Sequence, residues 1–376
     1  MENKQFCMGI FQLLLVCLFF IQCNENKSVP PKAKKVVLDK TLVNFSTIHK
    51  KKLSEYNFFR GNLANLNPEH RVIPYDLNTP LFTNYAFKKR FIYLPKGAQM
   101  TYNKETVFDF DEGTIIIKVF YYPENFNNPD GEKRIIETRL LIKENEVWIP
   151  LNYVWNESQD DAYLNYLGKK TEVSWRDENG VNRKINYNVP NNNLCKNCHL
   201  NGKEITPIGP TADQLNGKYK LLSEQYNQLI YFAKQDYIKR LPDEDIIPRF
   251  PVWNDPKTGG VEQRSKAYLD INCAHCHQPQ GSAKNSGLDL RFSQTNLRKR
   301  GVYKPPVAAG KGSGNLEYGI VPGHPEHSIL LYRMNTINPG VMMPEIGRST
   351  IHTEGVALIT DYIKSLSSMS KNDLNR

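Results

Sequence analysis

The chain has 376 residues, 40% of them hydrophobic, and a formal net charge of +10. That length predicts two or three domains with ample core, and it excludes a small disulfide-stapled module. The charge excess gathers in early lysines (Lys32, Lys34, Lys35, Lys40, then Lys50, Lys51 and Lys52), a solvated run with weak attraction to anionic lipid heads; no basic groove interleaved with aromatics appears, so nucleic acid is set aside.

Residues 8–21 form an apolar run, too short for a membrane span and of the right length for the core of a signal peptide. Lys4 supplies the positive flank. Cys23 follows at the end, and the segment resembles a bacterial lipobox, in which the cysteine takes lipid and becomes the new N-terminus. Gln22 departs from that pattern, since a small residue is usual there. The expectation is a signal peptide at 1–22, a lipid anchor on Cys23 and a polar, Lys-rich tether at 23–52 carrying Pro30 and Pro31.

From 53 to 190 the chain reads as strands. Runs at 91–94, 106–110, 113–122, 134–142 and 146–155 are rich in β-branched and aromatic residues. A hairpin is predicted between 173–175 and 184–187, turning at Asn179 and Gly180. This is an antiparallel β domain, a sandwich or open barrel, serving as scaffold or docking surface.

Two short motifs carry the chemistry. Cys195, Cys198 and His199 read C-x-x-C-H, and so do Cys273, Cys276 and His277. This is the attachment signature of a c-type haem. Two thiols spaced by two residues reach the two vinyl groups along one porphyrin edge and become thioethers. The adjacent histidine then offers its imidazole to the iron. Paired C-x-x-C also builds zinc ribbons, but those pairs stand roughly 15–20 residues apart, far closer than 198 and 273. A thioredoxin-like redox pair needs one C-x-x-C and no histidine after it, and disulfides within each pair are the remaining alternative. The cysteine inventory favours two covalent haem c groups. Cys7 and Cys17 fall in the signal, Cys23 takes lipid, and the other four complete the motifs.

Between and after the motifs the pattern turns helical. A helix is predicted at 221–241, with Leu222, Tyr226, Leu229, Ile230, Ala233 and Tyr237 on one face. The proline-dotted stretch 242–260 marks a boundary. A second helix, 261–272, runs into Cys273 with Val261, Ser265, Tyr268 and Leu269 inward. A Gly-rich segment at 281–319 has little periodicity. A short apolar helix follows at 328–334, then Met342, Met343 and Pro344. A final helix starts at Thr353, with Val356, Ile359, Ile363 and Leu366 as its stripe.

The order helix, C-x-x-C-H, loops, helix, Met-Pro, helix resembles a class I cytochrome c domain. The resemblance implies Met343 as sixth iron ligand, with Met342 as the neighbour able to substitute, and Arg333 and Arg348 as partners of haem propionates. The wider chain resembles a poorly characterised family of di-haem c-type cytochromes of Gram-negative bacteria. That likeness rests on Pro74-Tyr-Asp-Leu-Asn-Thr-Pro-Leu-Phe82, Glu137-Thr-Arg-Leu-Leu141, Tyr153-Val-Trp-Asn156, the segment entering Cys273, and Val321-Pro-Gly-His-Pro-Glu-His-Ser-Ile-Leu330.

The fold expectation is multidomain α+β. An N-terminal antiparallel β domain (53–190) precedes two mainly α-helical c-type haem regions, 191–258 and 259–376, the second cytochrome c-like. The first haem has no readable sixth ligand: Met100, His70, His324, His327 and His352 are chemically able, and His275 reads as an exposed spacer. The functional expectation is single-electron transfer in the periplasm between a partner oxidoreductase and a respiratory acceptor. The alternative is a di-haem oxidoreductase such as a peroxidase, working at an open position on the first haem.

Overall fold

Alternating apolar residues build the centre of the protein. In the computed structural model, which describes residues 49–219, 226–368 and 370–371, six strands form one antiparallel sheet. Its order is Ala162–Leu164, Val147–Trp155, Lys133–Glu144, Ile115–Pro123, Phe87–Tyr93, Val72–Pro74. The signal peptide, Cys23 and nearly all of the tether lie outside the described residues. All described residues belong to one compact unit.

Residues two apart share a face of a strand. One face presents Phe91, Tyr93, Ile115, Ile117, Leu140 and Ile142 to a first core closed by Leu53, Tyr56 and Phe58. The other face presents Ile92, Ile116 and Leu141 to a second core, completed by Met100, Phe108, Ala212, Leu215, Leu229 and Phe232. The chain beyond the first motif therefore packs back on the sheet. Ile238–Lys239 also pairs in parallel with Met100–Thr101. The hairpin Lys169–Arg176 and Asn182–Val189 forms as predicted, with Gly180 at φ +76° in its turn, a conformation glycine adopts freely.

The expectation of two mainly α-helical haem regions, the second cytochrome c-like, is overturned. Among the described residues the α-helices are short: Asn192–His199, Ala212–Leu215, Gln228–Lys234, Val261–Leu269, Ile329–Met334 and Thr353–Ser365. The helix expected at 221–241 reduces to Gln228–Lys234, with 220–225 outside the described residues. Glycine and proline explain the shortfall, since both interrupt helices. From 275 to 328 they recur every few residues, and the chain runs in turns and single 3₁₀ turns there. The terminal helix is the closest match to expectation. Its buried stripe includes Leu358, Ile359, Tyr362 and Ile363, and it packs on Val261–Leu269.

Candidate functional site

The first motif makes its own helix. The Asn191 side chain accepts a hydrogen bond from Leu194 N and caps Asn192–His199, which carries Cys195, Cys198 and His199. Its asparagines are the start signal. His199 Nδ1 lies 2.8 Å from the carbonyl oxygen of Thr206. A carbonyl only accepts, so Nδ1 carries the proton and Nε2 keeps a free lone pair. Burial pushes the imidazole down to about 4, so it is neutral at pH 7.

The second motif is built differently and ends in the same arrangement. Helix Val261–Leu269 continues into a π-turn, Asp270–Ala274, holding Cys273. The backbone N–H groups of Cys276 and His277 both donate to Cys273 O. The Ser286 hydroxyl donates to Ala283 O at 2.8 Å, so it accepts from His277 Nδ1 at 3.0 Å. His277 Nε2 is again free, and burial lowers its proton affinity. Tethering of the second ring nitrogen is the usual way a protein orients a metal-binding imidazole.

Asp270 in the π-turn accepts from Phe292 N at 2.8 Å, and burial pushes its carboxyl up to about 7. In the unfolded chain it ionises near ~3.9. Between roughly 4 and 7 the folded state thus holds the extra proton, and stability falls as pH rises through that window. Asp270→Asn should flatten this dependence and raise the urea midpoint at pH 8 relative to the parent. An equal loss of stability from pH 4.5 to 8 in both proteins would refute the assignment.

The two motifs abut. Cys198, His275 and Cys276 bring their ligating atoms within 4.8 Å of one another. Cys276 Sγ lies 3.3 Å from Asn197 O, and the Ser282 hydroxyl donates to the same oxygen at 2.7 Å. His275 is therefore no exposed spacer. It is partly buried, and its Nδ1 is buried with no hydrogen-bond partner. The four motif cysteines are free thiols.

Several cavities border this junction, and two of them are lined by His199 or His277. One, with about 880 Å³ of empty space, is lined by Cys273, Cys276, His277 and Met343 together. The other, about 1360 Å³, is lined by Cys198, His199, Cys273, Met334, Met343 and His352, among others. Cys195 lines neither, its sulfur lying 3.7 Å from Asn191 O. Of the residues considered for the first haem's sixth ligand, only His352 lines the larger cavity. Its ring stacks on Phe82 at 4.0 Å between centroids, and its Nδ1 lies 2.8 Å from the Tyr268 hydroxyl. Met100 is buried in the second core, and His70, His324 and His327 are exposed.

Arg348 and Arg333 hold backbone carbonyls around Met343. Arg348 donates to the carbonyls of Thr336, Met343 and Thr350, while Arg333 Nε donates to Val341 O. Both clamp the loop that carries Met343.

Sequence reasoning missed the cations of the sheet. Arg90, Lys118 and Arg139 line the larger cavity, and among the described residues no carboxylate lines it. A usable signal was present, because Lys118 interrupts the otherwise apolar strand Ile115–Pro123. Two segments that carried the family likeness also reach this cavity, through Tyr75, Leu77 and Phe82 and through Arg139 and Leu141.

The donor set fits a haem: neutral imidazoles with open Nε2 atoms, cysteines beside them, apolar walls, and cations suited to carboxylates. No protein-family model, curated protein or solved structure matches this chain.

Proposed function

We propose that the chain is an exported di-haem c-type cytochrome that carries single electrons between a partner oxidoreductase and a respiratory acceptor. The observation that carries this reading is the contact between the two C-x-x-C-H motifs, each presenting a tethered, neutral histidine to a cavity. Bound haem supplies one-electron ferric–ferrous chemistry. The chain's own residues do the rest. Thr206 O and Ser286 Oγ fix the imidazoles, and Arg348 holds the Met343 loop. The apolar walls exclude water, which sets potential through burial. With Cys198 beside Cys276, two attached groups stand close enough for electrons to pass directly between them.

Visible and EPR spectra of the purified protein test this reading. Two six-coordinate, low-spin haems are the expected result. A five-coordinate haem that turns over peroxide at roughly 1–10³ s⁻¹ would instead make the protein an oxidoreductase.

The Cys198–His275–Cys276 cluster supports a second reading, a single metal ion bridging the motifs, with zinc the natural occupant of such a donor set. Metal analysis separates the two, since that site takes about one zinc per chain and no porphyrin.

The export reading adds a lipid anchor at Cys23. No helix among the described residues is long and apolar enough to cross a membrane. On this reading Cys23→Ser should move the protein from the membrane fraction to the soluble one. Unchanged partition would remove the anchor from the proposal.

A further inference from the structure

We propose that Arg90, Lys118 and Arg139 form a buried binding site for a carboxylate or similar oxyanion in the cavity beside His199. Cross-strand register places them in one row. Arg90 on Phe87–Tyr93 is opposite Lys118 on Ile115–Pro123, which is opposite Arg139 on Lys133–Glu144. They share a face of the sheet, and all three line the cavity. Neighbouring strands are about 4.8 Å apart, so the row spans about 10 Å. Like charges directly opposite one another destabilise a sheet, and buried cations without partners are costlier still.

The local carboxylates do not balance them. Glu137, fully buried, pairs with Arg139 and accepts from the Tyr187 hydroxyl. Asp76 reaches only Arg90 Nη1, at 3.9 Å, and is itself 43% exposed. Arg90 is 6% exposed, and its Nη2 is buried with no partner. Lys118 lies over the Phe120 ring at 5.0 Å and has no carboxylate within ion-pair distance among the described residues. Lys88, on the same face, adds a further cation whose ammonium, among the described residues, donates to Ala86 O. Burial and this mutual repulsion hold Lys88 and Lys118 well below the ordinary lysine range. An anion in the cavity removes the imbalance. Two planar guanidiniums and an ammonium in a line suit two carboxylates, or one oxyanion approached from three sides.

Two sources offer that chemistry: the propionates of a bound haem, and a free small anion. The first rests on the haem reading; the second does not. The test uses the protein as purified, with haem content measured first by mass, alongside Lys118→Met and the charge-preserving Lys118→Arg. Without an anion, replacing a partly buried lysine that has no carboxylate partner by methionine stabilises the fold. With one, it exposes the anion's charge to an apolar wall. Lys118→Met should therefore lower the melting temperature and lower one haem potential, because a positive charge that favours ferrous iron is lost. Lys118→Arg should restore both.

If acetate or phosphate added to the parent shifts that potential, and does not in Lys118→Met, the occupant is a free anion. If neither salt acts, the occupant is propionate. If the protein carries no haem, the haem reading fails on its own, and calorimetry with acetate and phosphate decides the site. A Lys118→Met protein that melts higher than the parent, with potentials and anion binding unchanged, overturns the proposal.

Discussion

Protein produced in a host that attaches c-type haem should show, in denaturing mass spectrometry, the polypeptide plus two haem masses. Thioether bonds survive denaturation, so the count does not depend on the fold being intact. Each motif contributes one: Cys195→Ser with Cys198→Ser should remove one haem mass, and Cys273→Ser with Cys276→Ser the other. The geometry ranks the two. Cys273, Cys276, His277 and Met343 already line one cavity, whereas Cys195 does not line the cavity of Cys198 and His199, its sulfur lying 3.7 Å from Asn191 O. A single-haem fraction in the parent protein should therefore come from loss at Cys195 and Cys198. Polypeptide mass alone, together with about one bound zinc, would replace both haems with the Cys198–His275–Cys276 metal site.

Much of the β domain was readable because its strands alternate or are continuously apolar, and both patterns are local. Ile115–Pro123 and Lys133–Glu144 lie close to their predicted spans for that reason. The haem-motif regions were misread because helical stripes were extended through residues that end helices. Gln228–Lys234 stops at Asp236, which adopts φ +62°, a left-handed conformation that a helix cannot continue through. In the site, the six motif residues were legible from spacing alone. What spacing does not carry is contact between distant segments. That includes the approach of Cys198 to Cys276, the partners of His199 and His277, and the use of Arg348 to clamp Met343. The row Arg90, Lys118 and Arg139 appears only once strand register is known, because the three cations lie on three different strands far apart in sequence.

Met343→His should lower the potential of one haem, leave the other nearly unchanged, and abolish the weak near-infrared sulfur-to-iron band expected of the oxidised parent. A thioether favours ferrous iron relative to a second imidazole, so the substitution shifts the balance toward ferric. The structure narrows which sulfur can act. Met343 lines both cavities, and it shares the smaller one with Cys273, Cys276 and His277. Its loop is pinned from two sides: Met343 N donates to Arg333 O at 2.9 Å, and Arg348 Nη2 donates to Met343 O at 3.0 Å. Met342 lines neither cavity, while Met334 lines only the larger one. Met342→His should therefore leave the band in place. Loss of the band in Met334→His but not in Met343→His would move the ligand into the larger cavity, to the same side as His199. Arg348→Gln adds an independent check, since it loosens the loop without touching the sulfur. It should weaken the band and make it temperature-dependent.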